Sequence, residues 1–254
     1  MTALALDAAQ DILSVALKRP EGEYYFQLDA GLRHSERLME LADYAFRISR
    51  SDPSELDLVA CMKGPGSFTG LRIGMSCAKG IAVSLGIPLI AVPTLDCIAY
   101  PCSAWPGLVV PIMDAKQKRW YCAVYSKGTL ISGYMDSSAS DLIALIGTLR
   151  EHVAGRQKGD LIPILLTGPD AGSARKELSA IAINAGLGPD FCVEDPDARR
   201  GNATALLRSA IGRYEQAGEA AAEKDGDGID YLRKSEAELT LEMKKTIRKA
   251  PDER

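Results

Sequence analysis

Two aspartates end apolar, strand-like runs with the same short signature, Leu6-Asp7-Ala8-Ala9-Gln10 and Met113-Asp114-Ala115-Lys116-Gln117. Carboxylates at the ends of equivalent strands are groups that hold a magnesium nucleotide between two lobes, because that hard cation selects oxygen ligands. The alternative is an Asp that caps its own turn, and it carries the greater weight. A second candidate is the loop Gly64-Pro65-Gly66-Ser67-Phe68, which leads from a strand into a helix, where backbone N–H groups can meet an anion. Its details exclude the common phosphate loops: Gly64 is followed at the fifth position by Thr69 and Gly66 by Leu71, so no Gly-Lys-Ser/Thr ending exists. The dinucleotide pattern Gly-x-Gly-x-x-Gly also fails, with Thr69 in its last place. A generic anion site at the helix start stands beside the plainer reading of a tight turn.

Other catalytic chemistry has little to work with. The two histidines, His34 and His152, lack a second His or Cys at metal-ligand spacing. No Ser, Cys or Thr has an identifiable His base in its motif. Lys116, Lys118 and Arg119, and separately Lys244, Lys245, Arg248 and Lys249, form small basic groups, solvated surface being the weightier reading.

The elements that must position these residues follow from periodicity. Segments 2–6, 12–18 and 23–28 read as three antiparallel strands. Ser35 caps a helix to about Ile48, with Leu38, Leu41, Ala42, Ala45 and Phe46 on one face. A buried strand over 56–62, a long helix from about Thr69 to Leu85, a strand over 88–92 and a helix from about Thr94 complete a first α/β lobe with a mixed sheet. The recurrence of the Asp-Ala-x-Gln signature, first at Asp7 and again at Asp114, opens a second lobe of the same design. There, strands over 120–125 and 129–134, a helix over 140–149, a strand over 162–166 and a helix over 173–185 echo the first half. Helix 203–217 follows, then a charged segment, 219–230, read as a flexible surface link, and a frayed end, 244–254. The expected division is 1–104 as lobe I, with helix 203–218 packing back onto it, 105–202 as lobe II, and 219–254 as link and tail.

Composition limits the classes of function. With 254 residues, 46 % hydrophobic and 25 % charged, the chain is long enough for a sizeable core and globular in balance. Thirty basic against 34 acidic residues make it a poor sole binder of nucleic acid. Six cysteines without a Cys-x-x-Cys pair, and no basic lead before the first apolar run, point to a reduced cytoplasmic protein. The longest uncharged stretch, Gly80 to Leu95, falls short of a membrane span and contains Pro88 and Pro93.

Within the long helix, Gly70, Gly74, Ala78, Ala82 and Gly86 recur every four residues. Each interior glycine costs about 1 kcal/mol against alanine, so Gly70, Gly74 and Gly80 imply close packing that offsets the cost. Rows spaced by four suit interdigitating helices. The neighbour is either this lobe's own sheet or first helix, or a helix of another molecule.

The run Gly64-Pro65-Gly66-Ser67-Phe68-Thr69-Gly70-Leu71-Arg72-Ile73-Gly74, with Ala78-Lys79-Gly80 and Gly86-Ile87-Pro88, resembles the signature of the bacterial TsaB (YeaZ) family. His34-Ser35-Glu36, Asp114-Ala115-Lys116, Trp120-Tyr121 and Tyr231-Leu232-Arg233 support the likeness over most of the chain. The resemblance implies an actin-like fold of two RNase H-like lobes, each with a mixed five-stranded sheet. It implies membership of the machinery that places threonylcarbamoyl on the adenosine next to the anticodon. In that machinery the family is a non-catalytic subunit that pairs with a paralogue, TsaD, while a small ATPase, TsaE, docks on the complex. ATP or ADP and the metal belong to the partner, and no cofactor is held by this chain alone. Its tRNA contact is indirect, and when alone it forms a homodimer. The dimer face implied comprises Ser35, Glu36, Leu38 and Ala42 on the first helix and Thr69, Gly70, Ile73, Gly74, Cys77, Ala78, Ile81 and Ala82 on the second.

The paralogue's His-x-x-x-His metal motif corresponds here to Thr94 and Ile98, neither of which ligates as imidazole does. The family's usual first turn, Asp-Thr-Ser, is here Asp7-Ala8-Ala9, so two hydroxyls that would touch phosphate are missing and Asp7 and Asp114 mark at most a vestigial nucleotide site. The alternative is an actin-like enzyme holding ATP with Asp7 and Asp114 around magnesium. A glycoprotease-like metallopeptidase comes third.

Overall fold

The computed structural model describes residues 1–29, 31, 33–154, 162–184, 191–224 and 226–232. The chain opens with β1 (Ala3–Asp7), buried at every position because its uninterrupted apolar run is covered on both faces. β2 (Ile12–Arg19) and β3 (Gly22–Asp29) turn back from it in an antiparallel meander that pairs Asp7 with Ser14. After α1 (His34–Ser49) come β4 (Leu58–Gly64), α2 (Phe68–Leu85), β5 (Leu89–Pro93) and the short α3 (Thr94–Ala99). The first sheet has the order β3-β2-β1-β4-β5, with β1, β4 and β5 parallel.

The second half repeats the plan. β6 (Leu108–Asp114), β7 (Arg119–Cys122), β8 (Tyr125–Ser126), β9 (Thr129–Leu130) and β10 (Met135–Ser138) precede α4 (Ala139–Ala154), β11 (Ile164–Thr167), α5 (Ala171–Asn184) and β12 (Val193–Glu194). The order β10-β7-β6-β11-β12 matches the first sheet position for position. Two α/β units of this RNase H-like order in one chain make the two-lobed, actin-like fold. The expected five-stranded second sheet has seven strands: the segments read as 120–125 and 129–134 are each broken, and β8 and β9 form a short hairpin beside β6.

Each sheet is covered on both sides. α1 and α2 bury Leu38, Ala42, Ala45, Met75, Ala78 and Ala82 against one face of the first sheet. α6 (Ala203–Ala217) buries Ala203, Leu206, Leu207 and Ala210 against the other. α3 sends Leu95, Ile98 and Ala99 to strands of the second sheet, packing with Val109, Met113 and Tyr125. The halves are thus bound by exchanged helices, and Asp96 on α3 adds a polar tie, accepting from Tyr125 Oη at 2.5 Å, Tyr134 Oη at 2.8 Å and Arg213 Nη2 at 2.8 Å.

Two local expectations change. Ser35 lies inside α1, exposed, and the N-cap is Arg33, which offers no side-chain hydrogen bond to the helix end. The segment expected to be a flexible link is tied down. Glu223 N donates to Leu89 O at 2.8 Å along the open edge of β5, and Lys63 Nζ reaches Glu223 at 3.2 Å. Lys79 Nζ donates to the Asp227 carbonyl, and Asp230 N donates to Lys63 O at 2.8 Å. Covering an edge strand removes a row of unpaired backbone groups. The end 244–254 lies outside the described residues. No helix among the described residues is long and apolar enough to cross a membrane.

Candidate functional site

The two Asp-Ala-x-Gln turns and the glycine loop meet at a cleft of about 790 Å³ between the lobes. Ala9, Gln10 and Asp11 line it from one turn, Asp114 and Lys116 from the other, and Gly66, Ser67, Phe68 and Thr69 from the start of α2. Tyr121, Asp170, Arg199 and Tyr231 contribute the remaining polar and aromatic wall.

Asp7 is not part of that wall. It is 0 % exposed, and its oxygens accept from Ala9 N at 3.1 Å, Ser14 Oγ at 3.0 Å and Asn202 N at 2.8 Å. Ser14 Oγ in turn accepts from Ala203 N at 3.0 Å, so the carboxylate joins the first turn, β2 and the start of α6. Burial raises its pKa despite the three hydrogen bonds that oppose the shift. This enclosed node favours the turn-capping reading of Asp7 over the alternative of a magnesium-nucleotide ligand.

Asp114 has the opposite setting. It is exposed, accepts from Lys116 N and Lys116 Nζ, each at 2.7 Å, and its own N–H donates to Asp170 Oδ2 at 2.8 Å. Burial alone would raise its pKa, but the hydrogen bonds and charge of Lys116 outweigh it and hold the carboxyl below its ordinary value. Lys116, Gln117 and Lys118 follow with positive φ, a left-handed turn that side-chain-bearing residues rarely enter. Of the first basic group, Lys116 is therefore spent on Asp114, and Arg119 is paired with Asp136 at 2.6 Å. Lys244, Lys245, Arg248 and Lys249 lie outside the described residues.

The glycines of the loop serve close approach within the chain. At Gly64, φ is +115°, and an added Cβ would stand 2.6 Å from Asp230 O in the strap that follows α6. At Gly66 it would stand 2.7 Å from Ala9 O, which already accepts from Ser67 N at 2.8 Å. At Gly70 it would collide with the Ala8 carbonyl oxygen. The strap ends on α2: Tyr231 lies 5.3 Å from the Phe68 ring, and Arg72 sits over Phe68 at 3.8 Å while its Nε donates to Tyr231 Oη at 3.2 Å. This aromatic cluster escaped the sequence reading, because its members come from segments far apart along the chain.

The ridge expected to meet another molecule turns inward. Gly70, Gly74, Ala78 and Ala82 are buried against the first lobe, with Leu38 and Ala42 of α1 in the same core. The β1 turn fills the space that the missing side chains leave. Six of the twelve residues expected at a dimer face are therefore interior, and of the rest Ser35, Glu36 and Thr69 are exposed and Ile73, Cys77 and Ile81 half-buried. The outward face of α2 carries a different small row, Ser76, Gly80 and Ser84, all exposed, beside Val83 at 83 % exposure. Among the described residues, an added Cβ at Gly80 meets nothing within 4 Å.

Thr94 and Ile98 are buried in α3, so no ligand pair faces a site there. Burial pushes the Cys61 and Cys122 thiols up to about 12, in keeping with their packing as small hydrophobes. Among the described residues no group of three or more His, Cys, Asp or Glu side chains is arranged to hold a metal ion.

Comparison with known proteins bears on this geometry. The family model described as "TsaD: tRNA N6-adenosine threonylcarbamoyltransferase" matches residues 29–153. The Bacillus subtilis tRNA threonylcarbamoyladenosine biosynthesis protein TsaB is 29 % identical over 241 residues, 94 % of this chain and 96 % of that protein. The Escherichia coli protein of the same name is 32 % identical over 133 residues, 50 % of this chain and 56 % of its own length. Among solved structures, YeaZ from Pseudomonas aeruginosa superposes with a TM-score of 0.64 at 23 % identity, covering 91 % of this chain and 99 % of that one, which establishes a common fold. With the likeness running through both lobes, from the glycine loop to the second Asp-Ala turn, the chain belongs to the TsaB (YeaZ) family.

Proposed function

We propose that this chain is a non-catalytic subunit of the tRNA threonylcarbamoyladenosine machinery, docking on a metal-bearing, TsaD-type paralogue through the outward face of α1 and α2. The names carried by its relatives support the pathway. The observation that carries the docking face is Gly80. A glycine in the interior of an 18-residue helix costs about 1 kcal/mol, and no neighbour among the described residues uses the room it leaves. A second helix seated over Ser76, Gly80 and Ser84, and flanked by Ile73, Cys77, Ile81 and Val83, would use that room. The same face would pair two copies when the chain is alone, and the dimer contacts shift outward from the buried ridge to this row.

In this reading ATP or ADP and the metal reside in the partner, the small ATPase TsaE docks on the assembled pair, tRNA is met through the complex, and the setting is the cytoplasm. Light scattering coupled to size exclusion, on the chain alone and mixed with the paralogue at micromolar concentration, tests it. Co-elution is expected, with Gly80→Leu and Val83→Arg each weakening association at least about tenfold while melting is unchanged. Separate elution, or association indifferent to both substitutions, overturns the proposal. Gly74→Leu does not serve, because Gly74 lies in the core.

A further inference from the structure

The interlobe cleft is electrostatically two-ended, and its buried wall contains an unmet donor. At one end three carboxylates, Asp11, Asp114 and Asp170, act on the single ammonium of Lys116, whose pKa is raised by Asp114 first and then by the fields of Asp170 and Asp11. Asp114 is already satisfied by that lysine, and the other cation on the wall, Arg199, is paired with Asp29 at 3.0 Å. Negative charge is therefore in excess at this end. The other end is the start of α2, where Ser67, Phe68 and Thr69 line the cleft and no acidic side chain occupies the first turn. Ser67 Oγ already accepts from Gly70 N at 3.3 Å and Ser67 N donates to Ala9 O, so the N–H groups of Phe68 and Thr69, with the helix dipole, are what favour an anion here.

The second observation is independent of the helix. Gln10 lines the cleft, is 6 % exposed, and its Nε2 has no hydrogen-bond partner among the described residues. A buried amide left unpaired is costly unless a ligand completes it. A polyanion such as a magnesium nucleotide suits the place poorly: Asp7 is sealed away, and the excess charge is already negative.

We propose that this cleft binds a small zwitterion, a free α-amino acid, with its carboxylate at the α2 start and Gln10 Nε2 and its ammonium at Asp11 and Asp170. Phe68, Tyr121, Tyr231 and Met113 supply an apolar wall for its side chain, and about 790 Å³ leaves ample room for one. This goes beyond the tRNA reading and does not depend on it.

Isothermal titration of the full chain with L-threonine and L-phenylalanine tests the proposal. Saturable binding of at least one is expected, with its N-acetyl and carboxamide derivatives each about tenfold weaker or more, since each removes one of the two charges. Asp11→Asn and Gln10→Leu should weaken binding by a similar factor. Both variants should melt no lower than the parent chain, because Asp11 is exposed and an unpaired amide is exchanged for an apolar group of like size. Absence of binding by both amino acids up to about 10 mM overturns the proposal. So do derivatives that bind as tightly as the parent amino acid, or magnesium ATP that displaces it. A lower melting temperature for Gln10→Leu would show that the amide has a partner within the fold, and would also overturn it.

Discussion

The turn after β1 and the turn after β6 share Asp-Ala-x-Gln and the same place in their sheets, yet their carboxylates have opposite fates. Asp7 is wholly enclosed and serves three donors, whereas Asp114 faces the cleft and serves its neighbour Lys116. The difference comes from what crosses each turn. In lobe I the chain between β12 and α6 lays Asn202 N on Asp7, and the glycine loop brings Gly66 and Gly70 against the carbonyls of Ala9 and Ala8. In lobe II the position matching Gly66 is Asp170, whose carboxylate accepts from Asp114 N at 2.8 Å. A repeated motif therefore preserves a backbone shape, while the use of its carboxylate depends on the neighbours.

The sharpest way to break this comparison is to remove each carboxylate. Asp7→Ala strands three buried donors at about 1–3 kcal/mol each, so a loss on the order of 4 kcal/mol is expected in urea unfolding. Gly66→Ala should cost about 2–3 kcal/mol, because its Cβ would press on the Ala9 carbonyl oxygen, and calorimetry should register a fall of about 5–10 °C. Asp114→Ala removes an exposed ion pair and one exposed hydrogen bond from Lys116 N, whose donor water can satisfy, and should cost under about 1 kcal/mol by the same unfolding assay. A loss for Asp114→Ala equal to that for Asp7→Ala would abolish the distinction between the turns.

The smallest effect is in pH dependence, where the two aspartates should differ in sign. Asp7 has a raised native pKa, so its stabilising contribution is present below about pH 4 and lost as pH rises through that raised value. Asp114 has a lowered one, so its contribution is present above about pH 4 and lost as pH falls through the lower native value. Measured against Asp7→Asn, the stability advantage of the parent chain should shrink with rising pH. Against Asp114→Asn it should grow. Parallel slopes in the two series would contradict the assignment of burial to one and ion pairing to the other.

Much of the architecture could be read along the chain. The recurrence of Asp-Ala-x-Gln at Asp7 and Asp114 announced two lobes, and helix 203–217 was legible to the residue because alternation and caps are local signals. The broken strands of lobe II were not legible, since Val124 is a strand-like residue and Ala123 carries no turn signal, yet both lie between β7 and β8. The strap, charged and rich in Gly and Asp, has the sequence character of a loose link. Its anchors, Lys63, Lys79 and Leu89, lie far upstream.

By itself the sequence determined the order of elements in lobe I, the duplication and the scarcity of catalytic side chains, all of which depend on residue types and their spacing. Tertiary structure alone decided which face of α2 looks outward. Four-residue spacing shows that a helix has a side without bulk, but the object filling that side is chosen by contacts across the chain. Here it is the β1 turn, whose Ala8 carbonyl occupies the room at Gly70, so the buried row is consumed internally and the row through Gly80 is left to face solvent.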